Sequence, residues 1–166
     1  MSNAASNRLP SIHHVAFACR DPQATDRFYG ELLGLPLVNT EVQKMGEGYL
    51  KHMFYDTGDG SCIAFFYLHG LGEPSPLKTA ISTDLGLPKW VNHFAFRVHD
   101  EAEADAKAKR LVDGGFPMEM EIDHGWCVSR YFPDPNGILV ELCRDRPGLP
   151  VDEPQARALM LADPLA

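Results

Sequence analysis

His14 and His93 stand 79 positions apart in two stretches that spell nearly the same thing. One is His13-His14-Val15-Ala16-Phe17-Ala18-Cys19-Arg20-Asp21 and the other is Asn92-His93-Phe94-Ala95-Phe96-Arg97-Val98-His99-Asp100. Both read as strands, in which alternate residues face opposite ways. Val15, Phe17 and Cys19 make the apolar face of the first, and Phe94, Phe96 and Val98 that of the second. Each histidine therefore points away from the apolar layer, beside a small alanine. A further strand-like run, Ile138 to Cys143, turns Glu141 away from Ile138, Val140 and Leu142 in the same manner. Two neutral imidazoles and one carboxylate at a shared site form a ligand set for a divalent metal, with coordination positions left open for substrate and oxygen. A carboxylate on a sheet's inner face is otherwise expensive to desolvate.

The elements that must position these side chains repeat as well. After Asp21 comes a helical pattern, Pro22 to Gly34, with an Asp cap and a Gly stop; after Asp100 comes another, Glu101 to Gly115. Three short strand-like runs follow each helix: Pro36–Val42, Tyr49–Asp56 and Ser61–Leu68 in the first half, Met118–Ile122, Trp126–Phe132 and Ile138–Cys143 in the second. The spacing predicts an α+β fold of tandem βαβββ modules. Cys62-Ile63-Ala64-Phe65 matches Leu139-Val140-Glu141-Leu142. An approximate twofold axis between the modules would then set His14 opposite His93 and Ala64 opposite Glu141.

One domain over residues 12–143 is expected, with module one at 12–68, a Gly- and Pro-rich linker at 69–90 and module two at 91–143. Residues 1–11 read as a disordered lead-in, and the tail 144–166 has room for a short helix between Glu153 and Ala162. The formal net charge of −8 argues against nucleic acid or an anionic membrane as partner. No apolar run is long enough to span a bilayer and the amino-terminal residues lack a signal peptide's pattern, so a cytoplasmic location is the default. Cys19, Cys62, Cys127 and Cys143 are scattered singly, which predicts reduced thiols rather than a zinc knuckle or a disulfide framework.

Over residues 11–143 the sequence resembles the vicinal oxygen chelate superfamily, which includes glyoxalase I, extradiol ring-cleavage dioxygenases and bleomycin- and fosfomycin-resistance proteins. The resemblance implies paired modules forming an open, cupped, mixed sheet with helices on its outer face, around a metal held by His14, His93 and Glu141. It leans to the extradiol branch. Glyoxalase I usually carries a fourth-ligand Glu where this chain has Ala64, and the extradiol signature is met by His124, Tyr131, Asp134-Pro135-Asn136-Gly137 and Glu141. Two positions depart from it: Arg130 replaces an aliphatic residue, and Ser61 stands where an additional acid-base His is found. That second role falls to His124 alone or to His52 on the neighbouring strand, or else the reaction is a different one.

By this resemblance the cofactor is a divalent metal, with Fe(II) expected ahead of Mn, Zn, Ni or Co. The substrate is a catechol-like small molecule cleaved with O₂, Tyr131 and His124 managing protons. Phe66 and Trp126 suit an aromatic substrate wall, and Arg97 suits an acidic substrate group. A glyoxalase-like lyase or isomerase is the alternative, with a non-catalytic drug-binding protein behind it. A homodimer is expected, since a cupped sheet leaves edges to be covered.

Overall fold

The computed structural model describes residues 11–148 and 152–165, so nearly all of the expected lead-in lies outside the described residues. Each module begins as its sequence dictates. Strand β1 (His14–Ala18) runs into Asp21, whose Oδ1 accepts from the backbone N–H groups of Gln23 and Ala24 at 2.8 and 3.1 Å. Strand β5 (His93–Arg97) runs into Asp100, whose Oδ1 accepts from the Glu103 N–H at 2.8 Å. These aspartates satisfy amide groups that a helix start would otherwise leave without partners, and so open α1 (Pro22–Asp26) and α2 (Glu101–Asp113).

The first helix departs from the regular pattern expected to Gly34. From Arg27 to Leu32 it widens into a π-helical turn, closed by the Leu33 N–H on the Phe28 carbonyl at 3.0 Å. The wider turn brings the adjacent Phe28 and Tyr29, and then Leu33, into the interior, where each is fully buried. Gly30 is needed there, because a Cβ would lie 2.7 Å from Asp26 Oδ1.

The remaining strands are β2 (Leu37–Met45), β3 (Gly48–Asp56), β4 (Cys62–His69), β6 (Met120–Asp123), β7 (Cys127–Pro133) and β8 (Leu139–Asp145). They form two four-stranded mixed sheets, ordered β1-β4-β3-β2 and β5-β8-β7-β6. In each, the first strand pairs in parallel with the last and the other pairings are antiparallel. The linker holds a single helical turn at Thr83–Leu85, and the tail forms α3 (Glu153–Leu161). Among the described residues no helix is long and apolar enough to cross a membrane.

The apolar faces of both sheets meet in one core. The Phe17 and Phe94 rings stack with centroids 5.3 Å apart, Tyr29 lies 4.6 Å from Phe65, and Phe28 meets Phe116 at 4.9 Å. Cys19, Phe65, Val98, Leu111, Phe132, Val140 and Leu142 complete that layer. Val15, expected to join it, is instead 43% exposed, because β1 is an outer strand whose amino-terminal half overhangs the core. Cys19 and Cys127 are buried, Cys62 and Cys143 partly so, and all four are free thiols.

A polar clasp crosses the same boundary. Asp134 in the turn after β7 accepts from Tyr29 Oη at 2.9 Å, from the Asn136 and Ile138 amides at 2.8 and 2.7 Å, and from Asn136 Nδ2 at 2.9 Å. Asn136 in turn accepts from the Arg20 N–H at 3.1 Å through Oδ1, and from Thr79 Oγ1 at 2.7 Å through its carbonyl. Burial nevertheless raises the Asp134 carboxyl above its ordinary 3.8, outweighing four donors that act the other way. Between pH 3.8 and the folded value the folded chain thus holds a proton that the unfolded chain has lost. Its stabilising effect is full below pH 3.8 and fades as pH rises through the folded value. Asp134→Asn, which cannot titrate, should lower stability by about 1–3 kcal/mol at acid pH. In urea unfolding its deficit against wild type should narrow as pH rises to neutrality; a deficit that widens would contradict this.

Candidate metal centre

The parallel register of β5 on β8 sets Ala95 beside Glu141, and His93 two residues before Ala95 on the same face. His93 Nε2 stands 3.1 Å from Glu141 Oε2, and His93 Nδ1 stands 2.8 Å from the Trp90 carbonyl oxygen. A carbonyl only accepts, so Nδ1 carries a proton, and whenever the ring is neutral Nε2 turns its lone pair to the carboxylate. Two such atoms face each other favourably only across a shared cation, either a proton or a metal ion. Ser129 Oγ donates to the other oxygen, Oε1, at 2.5 Å and fixes the carboxylate plane. Glu141 is only 5% exposed, so this charge is held almost out of water.

Tyr131 pairs with Glu141 across β7 and β8. Burial first, and then the charge of Glu141, raises its phenol above the ordinary value of 10.0. His124 Nε2 lies 3.2 Å from Tyr131 Oη. The ring is carried on the β6–β7 turn, where Asp123 Oδ1 accepts from the Gly125 N–H at 2.8 Å and the His124 N–H donates to the Cys127 carbonyl at 2.9 Å. Trp126 is half-exposed beside it, with ring centroids 6.3 Å apart. One face of the second sheet therefore gathers His93, Glu141, Ser129, Tyr131 and His124.

His14 does not join them within the chain. Its Nδ1 lies 2.8 Å from His13 Nδ1, and its ring lies 5.9 Å from His52 and 5.4 Å from Phe54. Among the described residues no three His, Cys, Asp or Glu side chains cluster closely enough to hold a metal ion. Within one chain, therefore, His14 is not brought to His93 and Glu141. The modules join through their apolar faces, at Phe17 and Phe94, which leaves the histidine-bearing faces of β1 and β5 unjoined. Phe66 also belongs to the first module's group, stacked on His52 at 3.7 Å rather than beside Trp126. Arg97 is engaged with Asp145 at 3.1 Å, at the end of β5.

Two contributors have no role assigned from the sequence. Ser129 shares strand parity with Tyr131, which was a usable signal; the Trp90 carbonyl is backbone and leaves none. His52 stays with the first module, away from Tyr131 and His124. It is buried, with Nε2 lacking a hydrogen-bond partner among the described residues, and burial lowers its pKa, favouring the neutral ring. ¹⁵N-edited NMR of the metal-free protein should find neutral His93 as the Nδ1–H tautomer; a dominant Nε2–H form would contradict the geometry.

The chain has relatives among known proteins. The profile of the Glyoxalase/Bleomycin resistance protein/Dioxygenase superfamily matches residues 11–142. A Bacillus subtilis protein named "Putative ring-cleaving dioxygenase MhqA" is 41% identical over 63 residues, which are 38% of this chain and 20% of that protein. The match thus spans about a fifth of the length of MhqA. "Glyoxylase I 4" of Arabidopsis thaliana is 25% identical over 146 residues, covering 81% of this chain and 71% of that one. Among solved structures, a point mutant of the fosfomycin resistance protein FosX of Listeria monocytogenes, complexed with Mn(II) and 1S,2S-dihydroxypropylphosphonic acid, superposes with a TM-score of 0.58. It has 20% identity, over 81% of this chain and 92% of FosX, a likeness of fold. With a profile match running from before β1 into β8, the chain belongs to the Glyoxalase/Bleomycin resistance protein/Dioxygenase superfamily.

Proposed function

We propose that this protein is a metal-dependent oxidoreductase, an Fe(II) dioxygenase of the extradiol type that opens the ring of a catechol-like substrate. The observation that carries the metal reading is His93 Nε2 set 3.1 Å from a nearly buried carboxylate, with the far side of each group already hydrogen-bonded. His93 and Glu141 would hold the ion, and His14 is the third ligand of the proposal. When bound, the ion would supply open positions for two neighbouring substrate oxygens and for O₂.

The residues of the chain do the rest. Ser129 orients Glu141, and the Trp90 carbonyl fixes the tautomer of His93. Tyr131, kept as the neutral phenol by burial, donates a hydrogen bond to a substrate oxygen. His124, in contact with that phenol, takes up the hydroxyl proton and returns it to the product. The half-exposed Trp126 ring offers a wall for an aromatic substrate.

The ring-cleaving reading is supported over a lyase by Ala64, which is fully buried in β4 where a fourth ligand or a carbon-acid base would stand. The length of the match to the Arabidopsis glyoxylase favours the lyase or isomerase as the second reading. Oxygen uptake by Fe(II)-loaded protein with a panel of substituted catechols separates them. The dioxygenase reading expects uptake and a yellow ring-opened product, abolished in Glu141→Ala and reduced about 10²–10⁴-fold in kcat in Tyr131→Phe. Absence of uptake by fully loaded protein across the panel would favour the oxygen-independent reaction.

A further inference from the structure

The strand registers of the second sheet line up two rows across its polar face. Met120 stands beside Tyr131, Tyr131 beside Glu141 and Glu141 beside Ala95 in one row; Ile122 stands beside Ser129, Ser129 beside Cys143 and Cys143 beside Arg97 in the next. Residues opposite each other in a ladder share a face. The face is therefore ionisable around His93 and Glu141 and apolar along β6. Neither Met120 nor Ile122 packs into the core, and Ile122, on an outer strand, is 38% exposed. Neighbouring strands lie about 4.8 Å apart, which sets Met120 roughly 10 Å from Glu141 across the sheet. A ring whose two oxygens are held at the His93–Glu141 end, with Tyr131 donating to one of them, points its opposite edge at β6. A substituent on that edge meets Met120 and Ile122.

A charged substituent would find no partner there. Among the described residues the arginines on the strands of this sheet are already paired: Arg97 with Asp145, Arg144 with Glu101, and Arg130, turned to the helix side, with Glu101, Asp105 and Glu121. Arg146, just past β8, is held by Asp123. A substrate carboxylate laid on β6 would lose water without gaining a free cation, and would add to the negative field of Glu141. An alkyl group there is favoured instead, since it covers apolar surface and the flexible thioether of Met120 adapts to its shape. We propose that Met120 and Ile122 select the substrate of this site, admitting a catechol with an uncharged, apolar ring substituent and rejecting one that carries a carboxylate. The inference rests on the reading above, in which His93 and Glu141 mark where the ring oxygens sit. Met120 and Ile122 touch the substituent alone and take no part in breaking the ring.

Two ligands that differ only at the substituent test this, 4-methylcatechol and 4-carboxycatechol. Anaerobic calorimetric titration of the Fe(II)-loaded protein gives their affinities, and oxygen uptake gives their kcat/KM. Wild type should favour the methyl compound by roughly 10-fold or more in affinity, the scale on which a hydrophobic pocket discriminates by one small group. Ile122→Lys sets an ammonium where the substituent lies and should reverse that order, whereas Ile122→Val should keep it. If circular dichroism finds Ile122→Lys unfolded, Met120→Lys takes its place. Equal or tighter binding of 4-carboxycatechol by wild type would overturn the inference, as would an order that the folded lysine variant leaves unmoved. Binding of neither compound would overturn it too. Selective binding without oxygen uptake would uphold the selection and sink ring cleavage, while uptake with no preference between the two would do the reverse.

Discussion

The contact on which the structure depends is the junction of its two modules, where Phe17 stacks on Phe94 and the Asp134–Gly137 turn is gripped by Tyr29, Arg20 and Thr79. Neither module could bury its apolar sheet face alone. The π-helical turn at Arg27–Leu32 matters because it delivers two consecutive aromatics to that junction, one against Phe116 and the other against Phe65 and Asp134. Once the apolar faces are committed to each other, the opposite faces are free to carry polar groups. Those faces, and the β6–β7 turn beside one of them, are where every proposed site residue is found.

The chemistry of the site follows from how few of its polar atoms are free. Glu141 has one oxygen taken by Ser129 and the other aimed at His93, whose far nitrogen is taken by the Trp90 carbonyl. A group that is nearly buried and already oriented loses little freedom when an ion arrives, which is how an outer shell of hydrogen bonds raises affinity. Tyr131 and His124 touch each other beside this pair, giving a phenol and an imidazole in proton-transfer contact at the edge of solvent. The second sheet thus gathers His93 and Glu141 of the proposed ligands, and His14 lies on the other sheet.

Much of this was legible in the sequence because it is written in local rules. The duplicated strand, the Asp caps and the period-two alternation marked both modules and turned His93 and Glu141 away from the apolar layer, and the family resemblance added Tyr131 to that face. Alternation also told which side of β1 bears His14. It could not tell how one sheet sits against the other, since that depends on volumes packed at Phe17, Tyr29 and Phe94 and not on any run of neighbouring residues. For the same reason Asp134-Pro135-Asn136-Gly137 read as part of a family signature, while in the fold it is also the buried partner of the first helix. Arg97 had the right parity, yet Asp145, 48 residues away in sequence, takes its guanidinium.

The central claim is that His93 and Glu141 seat a divalent ion. Anomalous X-ray scattering from Mn(II)-soaked crystals tests it most directly. The account predicts one strong peak per chain, within direct bonding distance of His93 Nε2 and a Glu141 carboxylate oxygen. A fully occupied Mn(II) peak elsewhere, with His93 and Glu141 still directly paired, would contradict it.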